Sequence, residues 1–268
     1  MLDFPSSFVA WFGATAVPAF VGILIITAAG KYASIPGRYL AAFALGIFMW
    51  FFVDTIGGSA NLDVNAGFTG GVDQVAMVAL FAIGLLFFFA VGSSLFAPET
   101  ELSKISLAVP ALVAVAVGIH GFGEGTAFGS TASLTPTSSL LDAFGGLTSG
   151  VAYALHKALE PMMIGACYVV YAKNQAKSAG KYLADVLVLT FLFVVPSLIG
   201  AATGFYVNYD ASYFFALGTG TSIYASLRLA RPIFSEMDVA KAQGESLRVG
   251  LLVVIGFICI YSAALFHS

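Results

Sequence analysis

LSKISLAVPALVAVAVGIHGFGEGTAFG, Leu102 to Gly129, is an apolar stretch with one histidine and one glutamate in its second half. Apart from Lys104 at its start, it contains no other charged residue. It is longer than the roughly 20 apolar residues that a bilayer-crossing helix needs. An imidazole and a carboxylate in the middle of such a helix are costly in hydrocarbon, so they mark a functional site by default. The stretch therefore predicts a membrane helix that carries chemistry at mid-depth.

The rest of the chain supports a membrane setting. Hydrophobic residues make up 59% of the 268 residues and charged residues 9%, against about 25% charged in an average soluble domain. A soluble chain of this size needs more polar surface to cover its core. The net charge of −3 is small, and no basic run points to nucleic acid. Two cysteines, Cys167 and Cys259, are too few for a disulfide framework. Met1 to Ser7 contains no Lys or Arg, and the first apolar run is too long for a signal peptide, so it reads as a first membrane span.

Eight segments are long and apolar enough to span: Phe8 to Gly30, Gly37 to Gly57, Val72 to Phe96, Leu102 to Gly129, Ser138 to Ala172, Lys181 to Val207, Ser212 to Arg231 and Leu247 to Phe266. The separators are short and rich in turn residues, as at Ser34-Ile35-Pro36-Gly37, Gly57-Gly58-Ser59 and Asn208-Tyr209-Asp210. None is long enough for a soluble domain, so residues 1–268 read as a single transmembrane domain. Lys31, Arg38, Lys104, Lys173, Lys177, Lys181, Arg228, Arg231, Lys241 and Arg248 all flank or fill the odd-numbered loops. The positive-inside rule places those loops in the cytoplasm and both termini outside. The remaining basic residue, Lys157, lies inside the fifth segment. Phe43-Ala44-Leu45-Gly46 in the second segment recurs as Phe215-Ala216-Leu217-Gly218 in the seventh. These two segments run in opposite directions, so the recurrence points to an inverted repeat of the first three and last three spans around a central pair. In a transporter, such a repeat places the substrate site near the midplane. Chance recurrence of common residues is the alternative.

The central pair holds the ionisable residues. The fourth segment has His120 and Glu124, and the fifth, Ala154-Leu155-His156-Lys157-Ala158-Leu159-Glu160-Pro161, has His156 and Glu160. Residues at i and i+4 share one helix face. Two such faces packed together converge two nitrogens and two carboxylates on one point, a donor set for a borderline divalent ion such as Zn²⁺ or Fe²⁺. A local His–Glu hydrogen bond within each helix is the plainer alternative. Pro161 cannot donate to the carbonyl of Lys157, which frees an oxygen one turn before Glu160. The glycines Gly118, Gly121, Gly123, Gly125 and Gly129 serve either helix packing or an irregular ion path. Met163 and Cys167 continue the face of His156 and Glu160, either as soft ligands along a transport path or as core packing. Asp54 and Asp142 sit toward the outer side, where they attract cations or cap helices.

These two segments resemble the metal-binding helices of the ZIP (Zrt-, Irt-like) metal transporters. His120 with Glu124-Gly125 is similar to the family's His-Asn-x-Pro-Glu-Gly, and His156 with Glu160 to its His-x-x-Pro-Glu pattern. Pro196-Ser197-Leu198-Ile199-Gly200-Ala201-Ala202-Thr203-Gly204 and Gly220-Thr221-Ser222-Ile223-Tyr224 resemble stretches of the family's sixth and seventh helices. The resemblance implies an all-α integral membrane protein of eight helices in a 3+2+3 inverted arrangement, both termini outside, in the plasma (cell inner) membrane, and a homodimer. It implies movement of zinc, or of iron or manganese, toward the cytoplasm, with the metal as cargo and no resident cofactor. The chain departs from the pattern at Gly121, Gly123, Leu159 and Val195, and at Lys157, which stands where family members often place a ligand to a second ion. The stem of Lys157 is long enough to reach back toward Glu160, so Lys157 is expected to substitute for that second ion; the alternative is that it snorkels elsewhere or pairs with another acid. The competing reading is an intramembrane zinc hydrolase using the same ion to activate water. The expected function is transport and not catalysis.

Overall fold

The computed structural model describes residues 3–33, 35–65, 71–95, 107–134, 142, 144–172, 178–207, 210–235 and 242–265. Lys104, Lys173, Lys177 and Lys241, used above to orient the chain, lie outside the described residues. Among the described residues, nine helices of eleven residues or more follow one another, with no strand: α1 Phe4–Tyr32, α2 Gly37–Asn65, α3 Val72–Leu95, α4 Ala108–Leu134, α5 Leu147–Leu159, α6 Met162–Ala172, α7 Ala179–Tyr206, α8 Ser212–Ser235 and α9 Ala242–Ala264. α5 and α6 are two halves of one helix interrupted at Glu160–Pro161. Pro161 has no N–H for the carbonyl of Lys157, and hydrogen bonding resumes from Ile164 N–H to the Pro161 carbonyl at 2.9 Å.

Among the described residues, five helical stretches are long and apolar enough to cross a membrane: Phe4–Tyr32, Val72–Gly92, Ala108–Leu134, Ala179–Tyr206 and Gly244–Ala264. The remaining helices differ from these. The apolar run of α2 goes on past Trp50 through Phe51, Phe52 and Val53, α5 and α6 are each short, and α8 carries Thr219, Thr221, Ser222 and Arg228. The outward faces are apolar, as lipid requires. Examples are Val9, Val17, Val21 and Ile25 on α1, Leu183, Leu187 and Phe191 on α7, and Leu251, Val254 and Ile258 on α9. α3 and α9 are peripheral, whereas α4 and α6 are central. In α4, 61% of the apolar window is buried, against 17% in α3 and α9. Nearly every residue of α6 is buried.

Several boundaries differ from the sequence reading. Gly57-Gly58-Ser59, expected as a loop, lies inside α2, which continues to Asn65. Glycine weakens a helix by about 1 kcal/mol but keeps its N–H, so it does not end one. The fifth span begins at Leu147 and not at Ser138, because Gly145 (φ 76°) and Gly146 (φ 102°) turn the chain just before it. Asp142 therefore precedes that turn and does not start the span. α1 begins at Phe4, where the Asp3 carboxylate accepts from Ser6 N–H at 2.9 Å. That bond satisfies a first-turn donor, and the Ser6 hydroxyl together with it holds the Asp3 carboxyl below its ordinary range.

Side-chain contacts sort the helix ends into two groups. At one end, Tyr213 at the start of α8 donates to Asp73 at the start of α3, 2.6 Å. At the other, Arg38 at the start of α2 pairs with Glu245 at the start of α9, 2.8 Å. There the Lys31 ammonium lies 4.3 Å from the Tyr182 ring, and Tyr171 donates to the Arg228 carbonyl at 2.8 Å. α1 thus begins at the first end, and α9 finishes there.

Candidate metal centre

α4 and α7 approach more closely than any side chain would permit. A Cβ added at Gly118, Gly125 or Gly129 would meet the backbone of Phe193, Ser197 or Ala201 on α7. From the other side, Gly200 and Gly204 press on the backbone of Phe122 and Thr126. Small residues let membrane helices come this close. The α4 glycines at these positions therefore serve packing. The contact fixes α4, and with it the facing of His120 and Glu124. α1 does the same for the fifth span, because Gly22 sits against the Ala158 carbonyl and Gly165 against Ile26.

Held this way, the two His–Glu pairs meet. His120 Nε2 lies 3.4 Å from Glu124 Oε1. His156 Nε2, on the other helix, lies 3.8 Å from the same oxygen and 3.9 Å from Glu160 Oε2. Glu124, His156 and Glu160 each offer a donor atom within 4.8 Å of the others. Two ligands on one tetrahedral zinc, each about 2.0–2.1 Å from it, stand about 3.3 Å apart. The three imidazole–carboxylate spacings stand within about 0.6 Å of that value, whereas the two carboxylates, within 4.8 Å of each other, would close by up to about 1.5 Å. His120 and Glu160 are fully buried, and His156 nearly so. Glu160 Oε1 is buried and accepts no hydrogen bond.

Lys157 completes the cluster. It is fully buried, and its ammonium donates to Glu160 Oε2 at 2.5 Å and contacts Glu124 Oε2. The contact with Glu160 matches the expected reach of its stem. The contact with Glu124 crosses between helices and was not foreseen. The ammonium also lies 5.9 Å from the Tyr153 ring and 5.8 Å from the Phe193 ring. Two carboxylates thus share one ammonium.

The remaining candidates lie elsewhere. Met163 and Cys167 are fully buried in the main apolar cluster with Ile23, Ile26, Val113 and Leu189. Neither lines the cavity described next. Asp54 belongs to α2 by its backbone, and its side chain lies outside the described residues.

A cavity of about 610 Å³ reaches the site from the end of the molecule where α1 begins. Glu124 and His156 line its inner part. Ala127, Phe128 and Thr131 carry it along α4, and Ala264 and Leu265 carry it along the end of α9. Most of its wall is aromatic. Trp11 stacks on Phe128 at 4.5 Å and lies 5.0 Å from Tyr153, with Phe144 behind. Trp50 meets Tyr261 edge-on at 4.8 Å, and Phe215 lies 5.4 Å from the His120 ring. Trp11 is held by its indole N–H donating to Ser197 Oγ at 3.0 Å. Sequence reasoning missed this wall because aromatics make up 14% of the chain, so no single ring stands out.

No protein-family model matches the chain, and a search of curated proteins also finds no match.

Proposed function

We propose that this chain is a carrier for a divalent metal ion of the zinc class, similar in mechanism to the ZIP transporters it resembles. The observation that carries the reading is the buried meeting of Glu124, His156 and Glu160, with His120 beside them, inside an apolar helical bundle. Two imidazole nitrogens and two carboxylates suit zinc, iron or manganese as cargo. The one-sided access is what a carrier needs: a cavity reaches the site from one end, while Arg38–Glu245 and Tyr171–Arg228 tie the opposite end. The tied end carries Lys31, Arg38, Lys181 and Arg228 and is the cytoplasmic face by the positive-inside rule. The cavity then faces outward, both chain ends lie outside, and the ion moves inward across the plasma (cell inner) membrane.

The 3+2+3 inverted arrangement is part of the proposal. Its support is a pair of matching crossings. Gly46 of α2 and Gly256 of α9 press on the backbone of Val253 and Phe43, and Gly84 of α3 and Gly220 of α8 press on that of Leu217 and Phe81. Exchanging the first three spans with the last three turns one crossing into the other. A homodimer and the absence of catalysis complete the reading. Purified protein in liposomes should take up Zn²⁺, Fe²⁺, Mn²⁺ or Co²⁺, and Glu124→Gln should abolish the uptake. No uptake of any of the four, in either orientation, sinks the carrier reading.

A further inference from the structure

We infer that the aromatic cavity is a binding site for a monovalent organic cation, an alkylammonium or quaternary ammonium with apolar substituents, whose charged nitrogen rests against Glu124. The inference goes beyond the metal reading, because it concerns the approach to the site and a different class of ligand.

Size is the first argument. About 610 Å³ lies within the range of small-molecule sites and greatly exceeds a bare ion. Lining is the second. Trp11, Trp50, Phe128, Tyr153 and Tyr261 present rings, which offer few oxygens to replace the water around a metal ion. Ring faces attract an ammonium within about 6 Å, and Lys157 already uses one of them, at 5.9 Å from Tyr153. Charge is the third. Glu124 is the sole acid in the described lining, and neither Lys nor Arg joins it. Lys157 is shared between Glu124 and Glu160. A monovalent cation held against Glu124 leaves Lys157 in place. The apolar substituents of such a ligand bury against the rings.

The protein contains its own reporter. Both tryptophans of the chain, Trp11 and Trp50, stand in this wall, so all its indole fluorescence arises there. The purified chain in maltoside micelles, with chelator present to remove metal, is mixed with benzyltrimethylammonium, with its uncharged carbon analogue neopentylbenzene, or with short-chain phosphatidylcholine. Saturable fluorescence change is expected with an ammonium probe and not with the neutral analogue. Glu124→Gln should weaken binding roughly 30-fold or more, as loss of a buried charge partner does. Tyr261→Leu should weaken it about 2- to 5-fold. Tyr261 is 39% exposed, so this second variant leaves the buried network intact if Glu124→Gln fails to fold. Saturation by benzyltrimethylammonium identifies a free organic ammonium ion as the ligand, and saturation by phosphatidylcholine alone identifies a lipid headgroup. Either result supports the site. An equal response to the neutral analogue, no response to either ammonium, or binding unchanged in both variants overturns it. Metal is absent throughout, so this outcome and that of metal uptake are independent.

Discussion

Lys157 is a cation built into the site. Its ammonium touches both carboxylates, where a second metal ion would otherwise bridge them. One bound ion per chain is therefore expected, and metal analysis of purified protein checks it. Two well-occupied ions within bridging distance would show this to be wrong. Lys157→Met leaves two buried carboxylates facing each other. Breaking a buried pair in this way costs about 3–5 kcal/mol, so the metal-free variant should melt lower than the parent, and Zn²⁺ should raise its Tm more. Equal melting of the two metal-free proteins would remove Lys157 from the network. The carboxylates themselves are direct ligands in this reading. Losing an outer partner of a ligand already costs about 10–100-fold in affinity, so Glu124→Gln and Glu160→Gln should each lower zinc affinity by roughly 100-fold or more, measured by calorimetry. Unchanged affinity in both variants would exclude this site.

At the scale of the element, the α4–α7 crossing is the foundation of the site. Gly125 of α4 sits against the Ser197 carbonyl, and Gly200 of α7 against that of Phe122. Gly125→Val forces the helices apart, at an expected cost of about 1–3 kcal/mol. It also moves Glu124 away from His156, so thermal stability and zinc affinity should fall together. Gly250 on α9 has nothing within 4 Å of an added Cβ, and Gly250→Ala should change stability by no more than about 1 kcal/mol. A Gly125→Val protein with parental stability and affinity would refute the account of the crossing. The break at Glu160–Pro161 acts on the same scale. It ends α5 just after His156 and Lys157 and leaves Glu160 at the junction between the two halves.

For the whole molecule, the two ends differ. One has the cavity, and the other has the ion pair and the basic residues. In a background lacking Cys167 and Cys259, cysteines introduced at Ser59, Thr137 and Asn208 should react with an impermeant thiol reagent from outside. Cysteines at Ser178 and Ala242 should react only from the cytoplasm. Reaction of any one of the first three from the cytoplasmic side would break the eight-span topology.

The apolar runs and the two i, i+4 pairs of histidine and glutamate could be read from the sequence because both signals are local. A bilayer demands a run of apolar residues, and the helical period by itself places His120 with Glu124 and His156 with Glu160 on common faces. The end of the fifth span at Ala172 was legible for the same reason, but its start was not, because Gly145 and Gly146 set that start by their positive φ. The contact of Lys157 with Glu124 and the choice of packing for the α4 glycines depend on how close α4 comes to its neighbours. That distance belongs to no single segment. The aromatic cavity was the least legible feature, since Trp11, Trp50, Phe128, Tyr153 and Tyr261 come from five different helices. Their shared wall exists only because those helices pack together.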